Sequence, residues 1–185
     1  SFSIEIIRVL VDFCIFPIQS SIMYINLSGL NILVTGASKG IGKSLATKLA
    51  EAGATIAVHY NSNVREAENL AHILGNGSRP FQADYSKPDE ASKLFERVVL
   101  EMGNLEILVN NAGLAKGIGM NAKDSEWNSA WDESLMINLT SPSILCKKMI
   151  QHISERKASG RIINIASRAA FRGDEPDYMG YAAAK

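Results

Sequence analysis

The sequence predicts an α/β protein: a Rossmann-like, doubly wound parallel β-sheet with helices on both faces. Three observations predict it. Short apolar runs alternate with longer amphipathic segments, the order that builds βαβ units. The apolar runs are nearly continuous, which suits strands covered on both faces. A glycine-rich stretch joins the first such run to the first amphipathic segment.

Each element has a local reason. The segments "NILVT" (31–35), "TIAVHY" (55–60), "RPFQAD" (79–84), "EILVNN" (106–111) and "RIINIAS" (161–167) read as strands. Helical spacing of apolar residues falls near 41–52, 64–75, 88–102 and 126–156. Gly53 and Gly103 follow the first and third helices, where a C-cap needs a left-handed residue. Trp127 and Trp131, four apart, read as helix-packing anchors. No repeat, low-complexity tract or interdomain linker breaks residues 23–185, which read as a single domain.

Composition narrows the function classes. Of 185 residues, 46% are hydrophobic and 21% charged, ordinary values for a globular protein. The 19 Lys and Arg cancel the 19 Asp and Glu, and no basic stripe with interleaved aromatics occurs, so no nucleic-acid partner is expected. The two cysteines, Cys14 and Cys146, form no CxxC and fit packed thiols in a reducing, cytoplasmic compartment. The three histidines, His59, His72 and His152, lack metal-ligand spacing and read as surface or helix residues, so no metal is expected. The opening "SFSIEIIRVLVDFCIFPIQSSI" (1–22) is apolar, but Arg8, Asp12 and Pro17 interrupt it too soon for a membrane span. It lacks the basic start and cleavage site of a secretory signal. Met23 opens what reads as a natural start, so residues 1–22 are expected to be an extension outside the fold. An amphipathic membrane anchor is the alternative.

The stretch "TGASKGIG" (35–42) follows a strand and opens a helix, the context in which glycines mean phosphate binding. Gly36 allows the tight turn, Gly40 lets the backbone approach a pyrophosphate, and Gly42 lets helix and strand pack closely. The helix N-terminus adds free N–H groups and a positive dipole end. Ser38, Lys39 and Ile41 fill the loop between the glycines. The spacing is G-x-x-x-G-x-G, not the general G-x-G-x-x-G fingerprint. An acidic residue about 20 positions on would select NAD through a ribose hydroxyl. Here no carboxylate lies between Gly53 and Glu66. Lys39 can neutralise a 2′-phosphate instead, with Asn61 and Ser62 as hydrogen-bond donors, so NADP is expected over NAD.

The chain ends in "YAAAK", where Tyr181 and Lys185 stand one helical turn apart. With "TGASKGIG", Asp84 of "QADYS", "NNAG" (110–113), Asn138 of "MINLT" and Ser167 of "INIAS", this set resembles the short-chain dehydrogenase/reductase family from Leu27 to Lys185. The resemblance implies hydride transfer between a nicotinamide and a carbonyl or alcohol, with Asn138, Ser167, Tyr181 and Lys185 catalytic. Tyr181 would be the general acid in reduction and the base in oxidation. An isolated phenol ionises near pH ~10. An ammonium about 4 Å away, at an effective dielectric of about 20, stabilises the phenolate by up to ~4 kcal/mol. Ser167 would hold the substrate oxygen. Asp84 would face the adenine ring and Tyr85 would also contact the cofactor; Asn111 would tie neighbouring strands, and Ala112 and Gly113 would leave room for a ribose. Pro142 lacks an N–H and stands four after Asn138, so the Asn138 carbonyl is expected to lose its helical partner and hold a water in a proton relay.

Family chains continue beyond this tyrosine–lysine helix. The resemblance therefore implies that C-terminal strands are missing, that the parent is a homo-oligomer (dimer or tetramer), and that the isolated chain is inactive or poorly soluble with an unpaired sheet edge. A small carbonyl or alcohol is the expected substrate. A 3-oxoacyl carrier-protein reductase is the specific expectation, although "NNAGLAKGIGM" lacks the threonine-arginine-aspartate associated with those enzymes. Sugar, steroid and small-ketone reductases fit equally. The reading from another class is a non-catalytic dinucleotide-binding sensor or scaffold.

Overall fold

Alternate residues of one buried strand divide the core in two. In β2 (Asn31–Val34), Ile32 and Val34 join the cluster under one sheet face while Leu33 joins the cluster under the other. All three are fully buried, the result of a central strand with helices on both sides. The computed structural model describes residues 3–9 and 25–185. After β1 (Ser3–Val9) and β2, strand and helix alternate through α1 (Gly40–Glu51), β3 (Thr55–Tyr60), α2 (Val64–Leu74), β4 (Arg79–Gln82), α3 (Glu90–Met102) and β5 (Ile107–Asn110). Then follow α4 (Asp124–Leu135), a π-helical turn (Met136–Thr140), α5 (Ser141–Arg156), β6 (Ser159–Ile165), α6 (Ala169–Arg172), a 3-10 turn (Pro176–Tyr178) and α7 (Met179–Ala184).

The six strands are parallel and ordered β1-β6-β5-β2-β3-β4. From β2 the chain winds outward through β3 and β4, then returns to lay β5 and β6 on the other side. The order reverses between β2 and β5, and ligand crevices form at such switch points beyond the carboxyl ends of strands. Helices α1 and α2 cover one face through Ala46, Ala50, Ala67 and Leu70; α3 and α5 cover the other through Leu94, Phe95, Leu145 and Met149.

The expected elements form with ends shifted by a residue or two, and glycines stop the first three helices: Gly53 (φ +100°), Gly75 (φ +63°) and Gly103 (φ +83°). Two expectations change. The long 126–156 helix is three pieces, because a π-turn precedes Pro142 and the Ser141 N–H reaches back to the Met136 carbonyl, five residues away. Residues 1–22 were expected to lie outside the fold, and a lack of C-terminal strands was expected to leave the last strand's edge unpaired. Instead Ser3–Val9 pairs with Ser159–Ile165 in parallel register, and backbone pairing needs no particular sequence. The rest of that segment, including Cys14, lies outside the described residues.

Candidate active site

Two loops meet at the switch point. The first follows β2, and its tightness is forced by contact. A Cβ on Gly36 (φ +63°) would stand 2.9 Å from the Ala112 α-carbon, and one on Gly42 would stand 2.3 Å from the Gly36 carbonyl oxygen. Only glycine fits either place. Gly40 (φ +55°) has open space where a side chain would project. No side chain caps the N-terminus of α1 and no acidic residue sits in its first turn, so its N–H groups and dipole stay available to an anion.

The second loop follows β5 and is stitched to the first. Asn111 Nδ2 donates to the carbonyls of Thr35 (2.8 Å) and Gly36 (3.2 Å), while the Thr35 hydroxyl oxygen receives the N–H groups of Asn111 and Ala112, both at 2.9 Å. Asn111 thus ties the two strand ends together as expected.

Between the loops lies a cleft of about 680 Å³. Gly36, Ser38, Lys39, Gly40, Ile41 and Gly42 line it, as do Asn61, Ser62, Asp84, Tyr85, Asn111, Ala112 and Gly113. Every residue that the sequence assigned to a cofactor is on its wall. Asp84 sits two residues past β4. Its carboxylate accepts a hydrogen bond from the Ser86 hydroxyl (2.7 Å), which holds its pKa below the usual carboxylate range, with Lys87 3.5 Å away. No carboxylate follows β3 at Asn61–Asn63. Sequence reasoning missed eight residues on the same wall, among them His59, Leu114, Glu133 and Ile137. Glu133 of α4 pairs with Lys116 at 2.5 Å, fastening the loop after β5 from 17 residues away. For His59 a signal existed: a polar residue in an otherwise apolar buried strand must find partners.

His59 is not the surface residue expected. It is 3% exposed, its Nδ1 accepts the Gly36 N–H (3.0 Å), and its Nε2 meets the Ala83 carbonyl (3.1 Å). His152 also has a structural partner, since its Nε2 accepts the Leu105 N–H at 3.2 Å. Among the described residues no cluster could hold a metal ion. Trp131 packs over Gly180 of α7, 3.4 Å from where a Cβ would stand, and Trp127 tilts against it at 6.2 Å, which makes both packing anchors.

The four residues expected to be catalytic come from distant elements. Asn138 lies in the π-turn, and its side-chain amide is spent on backbone: Oδ1 takes the Leu114 N–H (2.9 Å), while Nδ2 donates to the carbonyls of Leu114 and Ser134 (both 2.9 Å). In an α-helix the Asn138 carbonyl would receive the N–H of residue 142, which is proline. Ser167 is half-buried beyond β6, and its oxygen accepts the Ala169 N–H (3.2 Å), capping α6 while keeping its own proton to give. Tyr181 and Lys185 are half-buried on α7 and its cap. Lys185 Nζ donates to the Ile165 carbonyl at 3.0 Å, and burial lowers the pKa of its ammonium. Gly113 lies between these groups: a Cβ there would stand 3.0 Å from Asn138 Oδ1 and 3.4 Å from Lys185 Nζ. Asn138 and Lys185 also face a second cavity of about 720 Å³, and Ala112 borders both. Tyr178, the near neighbour without a paired lysine, instead covers Gly117, its ring 3.1 Å from where a Cβ would stand.

The doubly wound sheet and the glycine-lined cleft at its switch point place this protein in the dinucleotide-binding class of α/β folds. Within that class, the chain belongs to the short chain dehydrogenase family, whose model matches residues 30–185. It is 36% identical to the 3-oxoacyl-(acyl-carrier-protein) reductase FabG of Staphylococcus epidermidis, over 83% of this chain and 62% of that protein. It is 32% identical to 3beta-hydroxysteroid dehydrogenase 1 of Eggerthella lenta, over 88% and 62%. Among solved structures it resembles the landomycin C-6 ketoreductase LanV with bound NADP and rabelomycin, at a TM-score of 0.72 and 32% identity, covering 86% of this chain and 66% of that one. The chain thus spans somewhat under two thirds of the length of these relatives. No helix among the described residues is long and apolar enough to cross a membrane.

Proposed function

We propose that this chain carries the dinucleotide-binding and catalytic centre of an NADP-dependent oxidoreductase that transfers a hydride between nicotinamide and a carbonyl or alcohol carbon. The observation that carries the reading is the convergence at Gly113. There Asn138 and Lys185, 47 residues apart in sequence, close on one backbone position at the edge of the phosphate-binding cleft.

The cofactor, when bound, supplies or accepts the hydride. The chain's own residues do the rest. Gly40 and the uncapped start of α1 would hold the pyrophosphate, Gly113 and Ala112 would leave room for a ribose, and Asp84 would face the adenine ring. Ser167 donates its hydroxyl proton to the substrate oxygen and fixes it toward Tyr181. Tyr181 gives its phenolic proton to that oxygen in reduction and takes it back in oxidation. The Lys185 ammonium, one turn beyond, stabilises the phenolate. Its lowered pKa eases proton exchange with a water on the Asn138 carbonyl.

NADP is favoured over NAD because Lys39, Asn61 and Ser62 share the cleft wall without a carboxylate after β3. The bound NADP of LanV supports the same choice. The relatives support a small carbonyl or alcohol substrate, and among these a 3-oxoacyl thioester is the first to test. A homo-oligomer fits the exposed Leu139 (51%) of the π-turn and Ile150 (39%) of α5. A cytoplasmic setting fits the free Cys146, whose thiol burial pushes up.

The experiment adds NADPH with 3-oxoacyl thioesters, ketosteroids and small ketones, and follows reduced-nicotinamide absorbance. Oxidation of NADPH by one class is expected, with Tyr181→Phe slower by roughly 10²–10⁴ and cofactor binding intact. Unchanged hydride transfer in Tyr181→Phe would overturn the mechanism. NADPH binding with no turnover would favour a sensor or scaffold.

A further inference from the structure

His59 is fixed in one tautomer by its neighbours. The Gly36 N–H can only donate, so Nδ1 must be the bare, accepting nitrogen. The Ala83 carbonyl can only accept, so Nε2 must carry the proton. The ring is therefore neutral and bridges the ends of β2, β3 and β4. The backbone of the same residue adds a third bond, since the Ala37 N–H donates to the His59 carbonyl at 2.8 Å. His59 thus holds the first two N–H groups of the glycine loop from one side, while Asn111 holds the carbonyls of Thr35 and Gly36 from the other. Gly36, at φ +63°, is clamped between them. Its N–H is consumed by the imidazole, so the loop's anion-binding donors are those further on, toward α1.

We propose that His59 is a positioning residue for the dinucleotide loop: its neutral imidazole sets the Gly36 turn and so aims the remaining N–H groups at the cofactor's phosphates. The proposal rests on reading the cleft as a dinucleotide site. It gives His59 a role that neither a filler of the core nor a proton donor would have. The ring stacks on Tyr85, with centroids 4.4 Å apart and planes 15° from parallel, and Tyr85 is itself on the cleft wall. Protonation would set an Nδ1–H against the Gly36 N–H and break the clamp. The surroundings oppose it. Burial, and Arg97 reaching from α3, push the pKa of His59 down to about 4 against the opposing Ala83 bond. The Tyr85 phenol is held protonated by burial, and Asp84 turns its carboxylate to Ser86 and Lys87. Just past β2, the Gly36 N–H faces the ring.

The test compares His59→Asn, whose side-chain oxygen can stand where Nδ1 stands, with His59→Leu, which keeps the packing and loses the acceptor. NADPH dissociation constants are measured at pH 7.5, with melting curves as a control for folding. In the unliganded protein, nuclear magnetic resonance reads the His59 ring tautomer and the hydrogen exchange of the Gly36 amide. Expected are an Nε2–H tautomer, a protected Gly36 amide, about tenfold weaker NADPH binding in His59→Leu, and recovery to within about threefold in His59→Asn. In turnover the loss should appear in KM for NADPH with kcat unchanged. A folded His59→Leu that binds NADPH like the wild type, or an Nδ1–H tautomer, overturns the proposal. If His59→Leu does not fold, His59→Asn and the tautomer still decide it. If the wild type binds no dinucleotide, the functional reading falls, and the Gly36 amide alone decides whether the clamp exists.

Discussion

Asn138 and the backbone of Leu114 form a two-point latch: the Leu114 N–H donates to Asn138 Oδ1 and Asn138 Nδ2 donates to the Leu114 carbonyl, each at 2.9 Å. The amide mimics a neighbouring strand, pairing with one residue through both of its backbone groups. This joins the π-turn to the loop after β5 and sets Gly113 beside Lys185. The side chain is thereby wholly committed to backbone groups.

Removing the latch should therefore cost both stability and catalysis. Asn138 is 7% exposed, and Asn138→Leu would strand a buried N–H and a carbonyl. A loss of about 2–4 kcal/mol is expected in urea unfolding. Asn138→Asp should lose a comparable amount at neutral pH, because a carboxylate oxygen would face the Leu114 carbonyl. A stability change under about 0.5 kcal/mol in both variants would show that the latch does not hold the loop.

Cofactor preference should be transferable by charge. Asn61→Asp places a carboxylate just past β3, where it can accept from a ribose hydroxyl and repel a 2′-phosphate. With Lys39→Ala, the ratio of kcat/KM for NADPH over NADH should fall by about 10²-fold, each change contributing ~1.4 kcal/mol or more. Lys39→Ala alone should raise KM for NADPH and leave that for NADH unchanged. A ratio that does not move would mean that the 2′-phosphate is held elsewhere.

The parts of this structure legible in the sequence are those whose causes are local. The strands from Asn31 to Ile165 announced themselves because a doubly covered strand needs apolar residues on both faces, and the glycine loop because glycines spaced between a strand and a helix are a local pattern, although the contact that demands Gly36 comes from Ala112. Pro142 signalled a missing helical hydrogen bond, not the division of the long helix into three pieces. The π-turn that results was not legible, since which carbonyl skips its partner depends on what the helix packs against. His59 was misread for a similar reason: its partners Gly36 and Ala83 lie 23 and 24 residues away, and only the folded sheet brings three strand ends together. The pairing of Ser3–Val9 with β6 spans more than 150 residues through backbone groups alone, which no side-chain pattern encodes.

Acid should destabilise the protein in two stages. His59 has a folded pKa of about 4 against an ordinary 6.5, so between those values the unfolded chain binds a proton that the folded chain refuses. Stability therefore falls as pH drops below 6.5, by about 2 kcal/mol between pH 7 and 5 and about 3 kcal/mol by pH 4. His152, also lowered by burial, adds in the same direction. The lowered carboxyls of Asp84 and Glu96 act in a more acidic window, where they must be protonated. Urea unfolding at pH 7 and 5 isolates the first stage. His59→Asn should show a pH slope shallower by about 2 kcal/mol over that interval, and an unchanged slope would assign the acid sensitivity to other groups.

The edge of β6 makes the last prediction. Ser3–Val9 aligns with all seven residues of Ser159–Ile165, so the N-terminal strand satisfies one whole side of β6's backbone. Without it, β6 becomes an edge strand, with outward N–H and C=O groups that either hydrate or find another chain. β6 also carries the Ile165 carbonyl that receives Lys185 Nζ and leads directly to Ser167, so loosening its end reaches two of the residues proposed as catalytic. Deleting residues 1–9 should lower the melting temperature by about 4–8 °C if the pairing is worth ~2 kcal/mol after the strand's ordering entropy. It should also produce concentration-dependent association in sedimentation, because an open parallel edge recruits neighbours. If the shortened chain melts at the same temperature and sediments as the intact one does, the N-terminal strand contributes nothing to the sheet, and β6 is stable as an edge on its pairing with β5 alone.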